Sequence, residues 1–240
     1  NNLLFILDTI VNFCIFYFKP KFIVTAPTSK EAMNIAGHNF SGQTEVLENF
    51  LAHDGQKAEM LFVSKDFRVL LLTRHCALKK IMLTKDIVVS KILNLESVLN
   101  TKFHISNPKF ALCGFNPHAS EDGLLGDEEN KILIPAVKEL RQRGVDISEP
   151  KPADTLFVNA AKNYYTNTKD EYDCYIANYH DQGLIPIKTV AGDLTVNTTI
   201  GLDVLRTSPG HGTAFDIAGK NIARPESMIA AIKDAIKYSK

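Results

Sequence analysis

Apolar residues along the chain follow two alternating patterns. Short, nearly continuous apolar runs of strand length occur at KFIVTA (21–26), MLFVS (60–64), RVLLLT (68–73), KFALCGF (109–115), DCYIANY (173–179) and LTVNTTI (194–200). Between them the spacing becomes helical. Ser29–Met33 opens a helix after Pro27, and 84–99 places Ile87, Ile92, Leu95 and Leu99 on one face. Residues 128–144 repeat that spacing with Ile132, Leu133, Val137 and Leu140 and stop at Gly144. A further helix is expected over 155–162, and PESMIAAIKDAIKYSK closes the chain with Pro225 near its first turn. Strands alternating with helices predict an α/β fold around a mostly parallel sheet with helices on both faces. In such folds ligands bind beyond the carboxyl ends of the strands. Thr25, His75, His118 and His180 each follow a predicted strand, so four loops are expected at one rim.

The first eighteen residues, NNLLFILDTIVNFCIFYF, are the most apolar stretch. They carry no basic leading region and no small-residue cleavage site, and Asp8 and Asn12 interrupt a run already short of the roughly 20 residues of a span. A core-facing helix, or two buried segments, is expected there. The chain opens on Asn rather than Met, so its beginning is expected to be missing.

Basic and acidic residues balance at 27 each, which gives no broad positive field for nucleic acid or an anionic membrane surface. Cys14, Cys76, Cys113 and Cys174 are scattered without a Cys-x-x-Cys pair and read as free thiols of a cytoplasmic protein.

Three histidines placed alike after strands suggest a divalent-metal site with open positions, since neutral imidazole is the commonest side-chain ligand. For any one of them, a hydrogen-bonded loop or core histidine is the competing reading, and it holds for His38, His53 and His104. Asp181 beside His180, and Asp154 in PADTLF, could orient an imidazole or handle a proton; Asp154 could equally cap the helix at 155–162. Lys188, Asn197 and Arg206 suit a phosphate or carboxylate, with solvated surface as the alternative. Ser208–Ala214 is a Gly-flanked loop open to a nucleotide or to a tight turn, and G-x-G-x-x-G occurs nowhere.

Taken together, VTAPTSKEA, GFNPHASEDGLLGDEE, PADTLF, YHDQGLIPIK, VNTTIGL and LRTSPGHGTAFDIAGK resemble the 4-hydroxythreonine-4-phosphate dehydrogenase family of pyridoxal 5′-phosphate biosynthesis, from about Phe22 to the C-terminus. The resemblance implies a homodimer of subunits with two α/β/α domains, related in fold to isocitrate and isopropylmalate dehydrogenases. A division at 1–105 and 106–240 is expected, with the active site in the cleft between domains at the subunit interface. It implies one zinc, magnesium or cobalt ion per site, held by His75 and His118 of one subunit and His180 of its partner. Substrate contacts fall on Gln43, Thr44, Lys188, Asn197 and Arg206. Asp154 and Asp181, with Lys188, are the candidates for orienting ligands or relaying the proton. His211, Gly212, Thr213 and Ala214 correspond to the loop that takes the adenosine side of NAD or NADP.

Two departures stand out. Gln43 replaces a family histidine, and Gln brings a hydrogen-bond donor but no positive charge. No Gly-Asp-Pro-Ala-Gly-Ile-Gly-Pro-Glu type motif precedes Phe22. The implied reaction is oxidation of 4-hydroxy-L-threonine 4-phosphate at C3 followed by loss of carbon dioxide to give 3-amino-2-oxopropyl phosphate. The alternatives are a paralogue acting on another phosphorylated hydroxy acid such as 4-phosphoerythronate, or a binding module without redox activity.

Overall fold

The computed structural model describes residues 20–37, 39–40, 42–53 and 55–239. The expectation for the apolar opening segment, and the readings of Cys14 and His38, lie outside the described residues. In chain order the elements are β1 (Phe22–Val24), α1 (Lys30–Ile35), α2 (Gln43–Leu51), β2 (Glu59–Ser64), β3 (Phe67–Leu71), α3 (Lys85–Thr101), β4 (Lys109–Leu112), α4 (Ile134–Gln142), β5 (Asp146–Ile147), α5 (Ala153–Thr166), β6 (Cys174–Ala177), α6 (His180–Ala191), β7 (Val196–Ile200), β8 (Leu205–Pro209) and α7 (Glu226–Tyr238).

They form two compact units, one made of the described residues up to Met60 together with those from Asp193 on, the other Leu61–Gly192. The split expected at 105/106 matches neither boundary. The first unit is discontinuous because the closing strands return to the opening one: β1 pairs parallel with β8, and β8 pairs antiparallel with β7. Helix α7 packs on these strands and seals Ala231 and Ala235 completely. On α2, Leu47 and Leu51 form a small core with Ala58 and Leu202, against which Ile23 and Phe50 pack.

In the second unit the strand order is β2-β3-β6-β4-β5, with β2 antiparallel to β3 and every other pair parallel. All five residues of β3 and all four of β6 are buried, so both faces of these strands are covered. This accounts for their unbroken apolar runs. Helix α3 opens on Thr84, whose hydroxyl accepts from the Ile87 amide at 3.2 Å, and it buries Val88, Val89, Ile92, Leu95 and Leu99. Ile87, expected on that face, lies at its edge and reaches solvent.

Besides the two-residue strand β5, three elements were not anticipated. Gln43–Leu51 is helical, Leu205–Pro209 is a strand, and His180–Ala191 is a helix despite Gly183 and Pro186 inside it. A Cβ on Gly183 would stand 2.6 Å from Leu71 Cδ2 and 2.8 Å from Val69 Cγ1. Glycine therefore lets α6 lie directly on β3, and this seating places His180 at the helix start.

Candidate functional site

The second unit holds all three histidines. Beyond β3 the chain continues alongside the segment after β6: Leu72 N–H donates to Ala177 O at 2.8 Å, and the Thr73 hydroxyl donates to Asn178 O at 2.7 Å. This pairing brings His75 and His180 together, with ring centroids 5.5 Å apart and ring planes at 43°. His180 is the first residue of α6 rather than a loop residue, and its Nδ1 lies 2.7 Å from Asp181 Oδ1. His118 is solvent-exposed, with Nδ1 2.6 Å from Glu121 Oε1. That hydrogen bond, Glu121's charge and, more weakly, the charge of Asp154 raise the His118 pKa. Asp154 sits in the first turn of α5, where Pro152 is the N-cap, so it is not the capping residue. Its carboxylate bears on His118 instead.

His118 stands in unusual backbone. From His118 to Asp122 the φ angles are 53°, 52°, 70°, 44° and 56°, a left-handed turn built without glycine. Such residues cost on the order of 1 kcal/mol each and persist only where the flanks dictate them. One flank is Glu129, almost fully buried, which accepts from Asn116 N at 2.7 Å and from Asn116 Nδ2 at 2.9 Å. Glu129 opens a π-turn (Glu129–Leu133) ahead of α4, a feature often found beside functional sites.

The imidazoles fit a divalent cation chemically. With a carboxylate at Nδ1, the Nε2 of His180 and of His118 is the atom left to donate to a metal, and such a carboxylate partner fixes tautomer and ring orientation. Among the described residues of one chain, no group of three or more His, Cys, Asp or Glu gathers closely enough to hold an ion. The structure thus joins His75 to His180 and does not add His118 to them as a third ligand. Lys188 lies in the last turn of α6, and burial lowers its pKa although the residue as a whole is solvent-exposed.

The first unit holds the remaining predicted contacts. The strand registers pair Thr199 with Arg206, Asn197 with Ser208 and Ile23 with Arg206. Paired residues share a face and neighbours alternate, so Asn197, Thr199, Arg206 and Ser208 lie on one face. Thr198 and Thr207 take the other, where the Thr207 hydroxyl donates to Ala231 O of α7 at 2.8 Å. Arg206 is 2% exposed. Its Nε donates to Thr25 Oγ1 at 2.8 Å, Nη1 to Thr199 Oγ1 at 3.4 Å, and Nη2 to Gln43 Oε1. All these acceptors are neutral. Burial alone pushes the guanidinium pKa down to about 10.

Gln43 and Thr44 open α2. Gln43 spends its oxygen on Arg206 and Thr25 and donates from Nε2 to Ala26 O at 3.0 Å. The Thr44 hydroxyl lies 3.5 Å from that of Thr199. Asn197 Oδ1 is buried with no hydrogen-bond partner among the described residues. The predicted phosphate contacts Gln43, Thr44, Asn197 and Arg206 therefore belong to one polar patch in one unit, and Lys188 belongs to the other unit. Thr25 and Thr199 complete the patch; neither is among the contacts expected from the sequence, although Thr25 stands at the end of a predicted strand.

The loop expected to take the cofactor is solvent-exposed at His211, Gly212 and Ala214, and Thr213 is half-buried. His211 Nδ1 lies 2.8 Å from Gly212 O, and a Cβ on Gly212 would meet nothing within 4 Å, so this backbone is open to a ligand. Gly210 is tight against the residue that precedes β7: a Cβ on it would lie 2.6 Å from Thr195 O.

Residues 18–235 match the family model of the pyridoxal phosphate biosynthetic protein PdxA. A 4-hydroxythreonine-4-phosphate dehydrogenase from Bradyrhizobium diazoefficiens is 45% identical over 221 residues, covering 90% of this chain and 62% of that protein. One from Synechocystis sp. is 46% identical over 224 residues, covering 88% of this chain and 63% of that protein. The chain thus spans less than two thirds of the length of these relatives. The 1.25 Å crystal structure of 4-hydroxythreonine-4-phosphate dehydrogenase from Klebsiella pneumoniae aligns with a TM-score of 0.84 at 34% identity, covering 99% of this chain and 70% of that one. With the family's model running through nearly all of its sequence, the chain belongs to the PdxA family.

Proposed function

We propose that the chain acts as a metal-dependent, NAD- or NADP-linked dehydrogenase of 4-hydroxy-L-threonine 4-phosphate, which it oxidises at C3 and decarboxylates to 3-amino-2-oxopropyl phosphate. The observation that carries this reading is Arg206, a buried guanidinium held, among the described residues, by neutral oxygens alone. A charge removed from water without a counter-charge costs several kcal/mol, at least about 3 by the cost of breaking a buried pair, and a phosphate is the anion a guanidinium fork meets in two-point contact. Gly42, Gln43 and Thr44 at the start of α2 add the positive end of a helix. The unpartnered Asn197 Oδ1 offers an acceptor to a substrate hydroxyl or amine.

The carbon to be oxidised falls to the histidines. When bound, a divalent cation held by His75, His118 and His180 would supply a Lewis acid for the 3-hydroxyl and for the negative charge that develops during oxidation and decarboxylation. Asp181 and Glu121 hold Nδ1 of His180 and His118, which orients each ring and leaves Nε2 as the atom that faces an ion. Lys188, whose pKa is lowered by burial, and the carboxylates of Asp154 and Asp181 are the groups to take the hydroxyl proton and return one to carbon. The backbone at 211–214 receives the adenosine side of the cofactor. A homodimer, in which His180 of one subunit completes the ligand set of the other, follows the family pattern.

Turnover of 4-hydroxy-L-threonine 4-phosphate against 4-phosphoerythronate, with NAD+ and then NADP+, tests the assignment. Preference for the first supports it. Preference for the second substitutes the paralogous reading, and binding of either without turnover leaves a phosphate-binding module.

A further inference from the structure

The segments that carry the three histidines converge on two neighbouring residues, Asn178 and Gln182. Gln182, two residues after His180, accepts through Oε1 from Asn178 N at 2.7 Å and from Asn178 Nδ2 at 3.1 Å. Its Nε2 donates to Gly114 O at 2.7 Å. Asn178 is fully buried; its Nδ2 also donates to Cys113 O at 2.9 Å, and its carbonyl accepts from the Thr73 hydroxyl and amide. The chain before His75, the chain before His118 and the helix that begins with His180 therefore meet at Asn178 and Gln182.

We propose that Gln182 is a positioning residue that sets the His118 segment against the His75–His180 pair, an inference that rests on reading these histidines as metal ligands. The segment needs such an anchor. A Cβ on Gly114 would stand 2.8 Å from Ala119 Cα, so the chain folds back tightly between Gly114 and His118 before entering its left-handed turn. Glu129 fixes the turn at Asn116, and Gln182 fixes it at Gly114. Only a carboxamide of this length does this: one oxygen accepts two N–H groups while the nitrogen of the same group donates. Glutamate lacks the donor, methionine lacks both functions, and asparagine is a methylene short. Asn178 Oδ1, buried and unpartnered among the described residues, shows that the Asn178 amide is oriented for its two N–H bonds rather than for its own oxygen.

The test compares Gln182→Met and Gln182→Glu with the unaltered chain by amide hydrogen exchange and by Co2+ titration followed through the visible absorption of the ion. The amides of Ala119, Gly123 and Leu125, which donate within the turn, report the His118 segment. In Gln182→Met they should exchange about fivefold faster, the loss of one hydrogen bond, while Leu70 and Ile176 in the strands keep their rates. In Gln182→Glu the turn should open equally while the Asn178 amide, still facing an acceptor, stays slow. Co2+ affinity should fall about tenfold in both, the usual effect of losing a group that orients a ligand. Unchanged exchange in the turn overturns the proposal, and so does faster exchange throughout the strands, which marks a merely structural residue. If the turn opens but the unaltered chain binds no Co2+, the positioning role stands and the metal reading falls.

Discussion

The rings of His75 and His180 stand 5.5 Å apart in one subunit, although the family pattern assigns these two residues to metal sites completed by different subunits. Complementation separates the two arrangements. His180→Ala and His118→Ala variants should each be inactive. If His180 serves the partner's site, unfolding and refolding an equal mixture restores about a quarter of the activity, because half of the dimers are mixed and each has one intact site. If all three ligands come from one chain, the mixture stays inactive.

Arg206→Met separates binding from folding. Phosphate affinity should fall by about 2 kcal/mol, roughly 30-fold, the contribution of a charged hydrogen-bonded contact. Thermal stability without ligand should hold or rise, because a buried charge with neutral partners is replaced by an apolar chain of similar length. Added phosphate should raise the melting temperature of the unaltered chain but not that of the variant. A variant that melts well below the parent without ligand would show that Arg206 is a structural residue.

Gly183→Ala tests how His180 is placed. The new methyl would meet Leu71, Val69 and the Ala177 Cβ at under 3 Å, so α6 must lift from the strands. A loss of about 1–3 kcal/mol in urea unfolding is expected, as for other overpacked cores. An unchanged midpoint would mean that α6 is not seated on β3 as described.

The strands were legible because both faces of β3 and β6 are covered and their residues form apolar runs, and α3 and α4 were legible from one-sided apolar spacing. Strand β8 was not, because Arg206 and Thr207 are buried with their polar groups satisfied inside, a pairing that hydropathy does not register. Gly183 and Pro186 disguised α6 as a loop, although the glycine is there for close packing. The domain division escaped because β7 and β8 return across the sequence to β1 and α2. Of the site, the histidines followed from their places after strands. Lys188, Asn197 and Arg206 followed from their charge and hydrogen-bonding chemistry, Gln43 and Thr44 came with the family resemblance, and Glu129, Asn178 and Gln182 escaped because their residue types do not reveal their burial or partners.

Thiol labelling checks the core independently. Cys113 and Cys174 are buried, which raises both pKa values, that of Cys174 to about 12, whereas Cys76 is exposed. At about pH 8 the exposed Cys76 should label within minutes and the other two only on unfolding, as read by peptide mapping. Fast labelling of Cys113 in the native chain would contradict the burial of β4 and the residue after it.

The most direct test of the central claim is the absorbance of reduced nicotinamide when the chain is mixed with 4-hydroxy-L-threonine 4-phosphate, NAD+ or NADP+ and a divalent ion, with and without a chelator. Metal-dependent dehydrogenation predicts a rising signal that the chelator abolishes and fresh metal restores. A signal indifferent to the chelator would contradict the role given to His75, His118 and His180, and no signal with either nicotinamide cofactor would contradict the dehydrogenase itself.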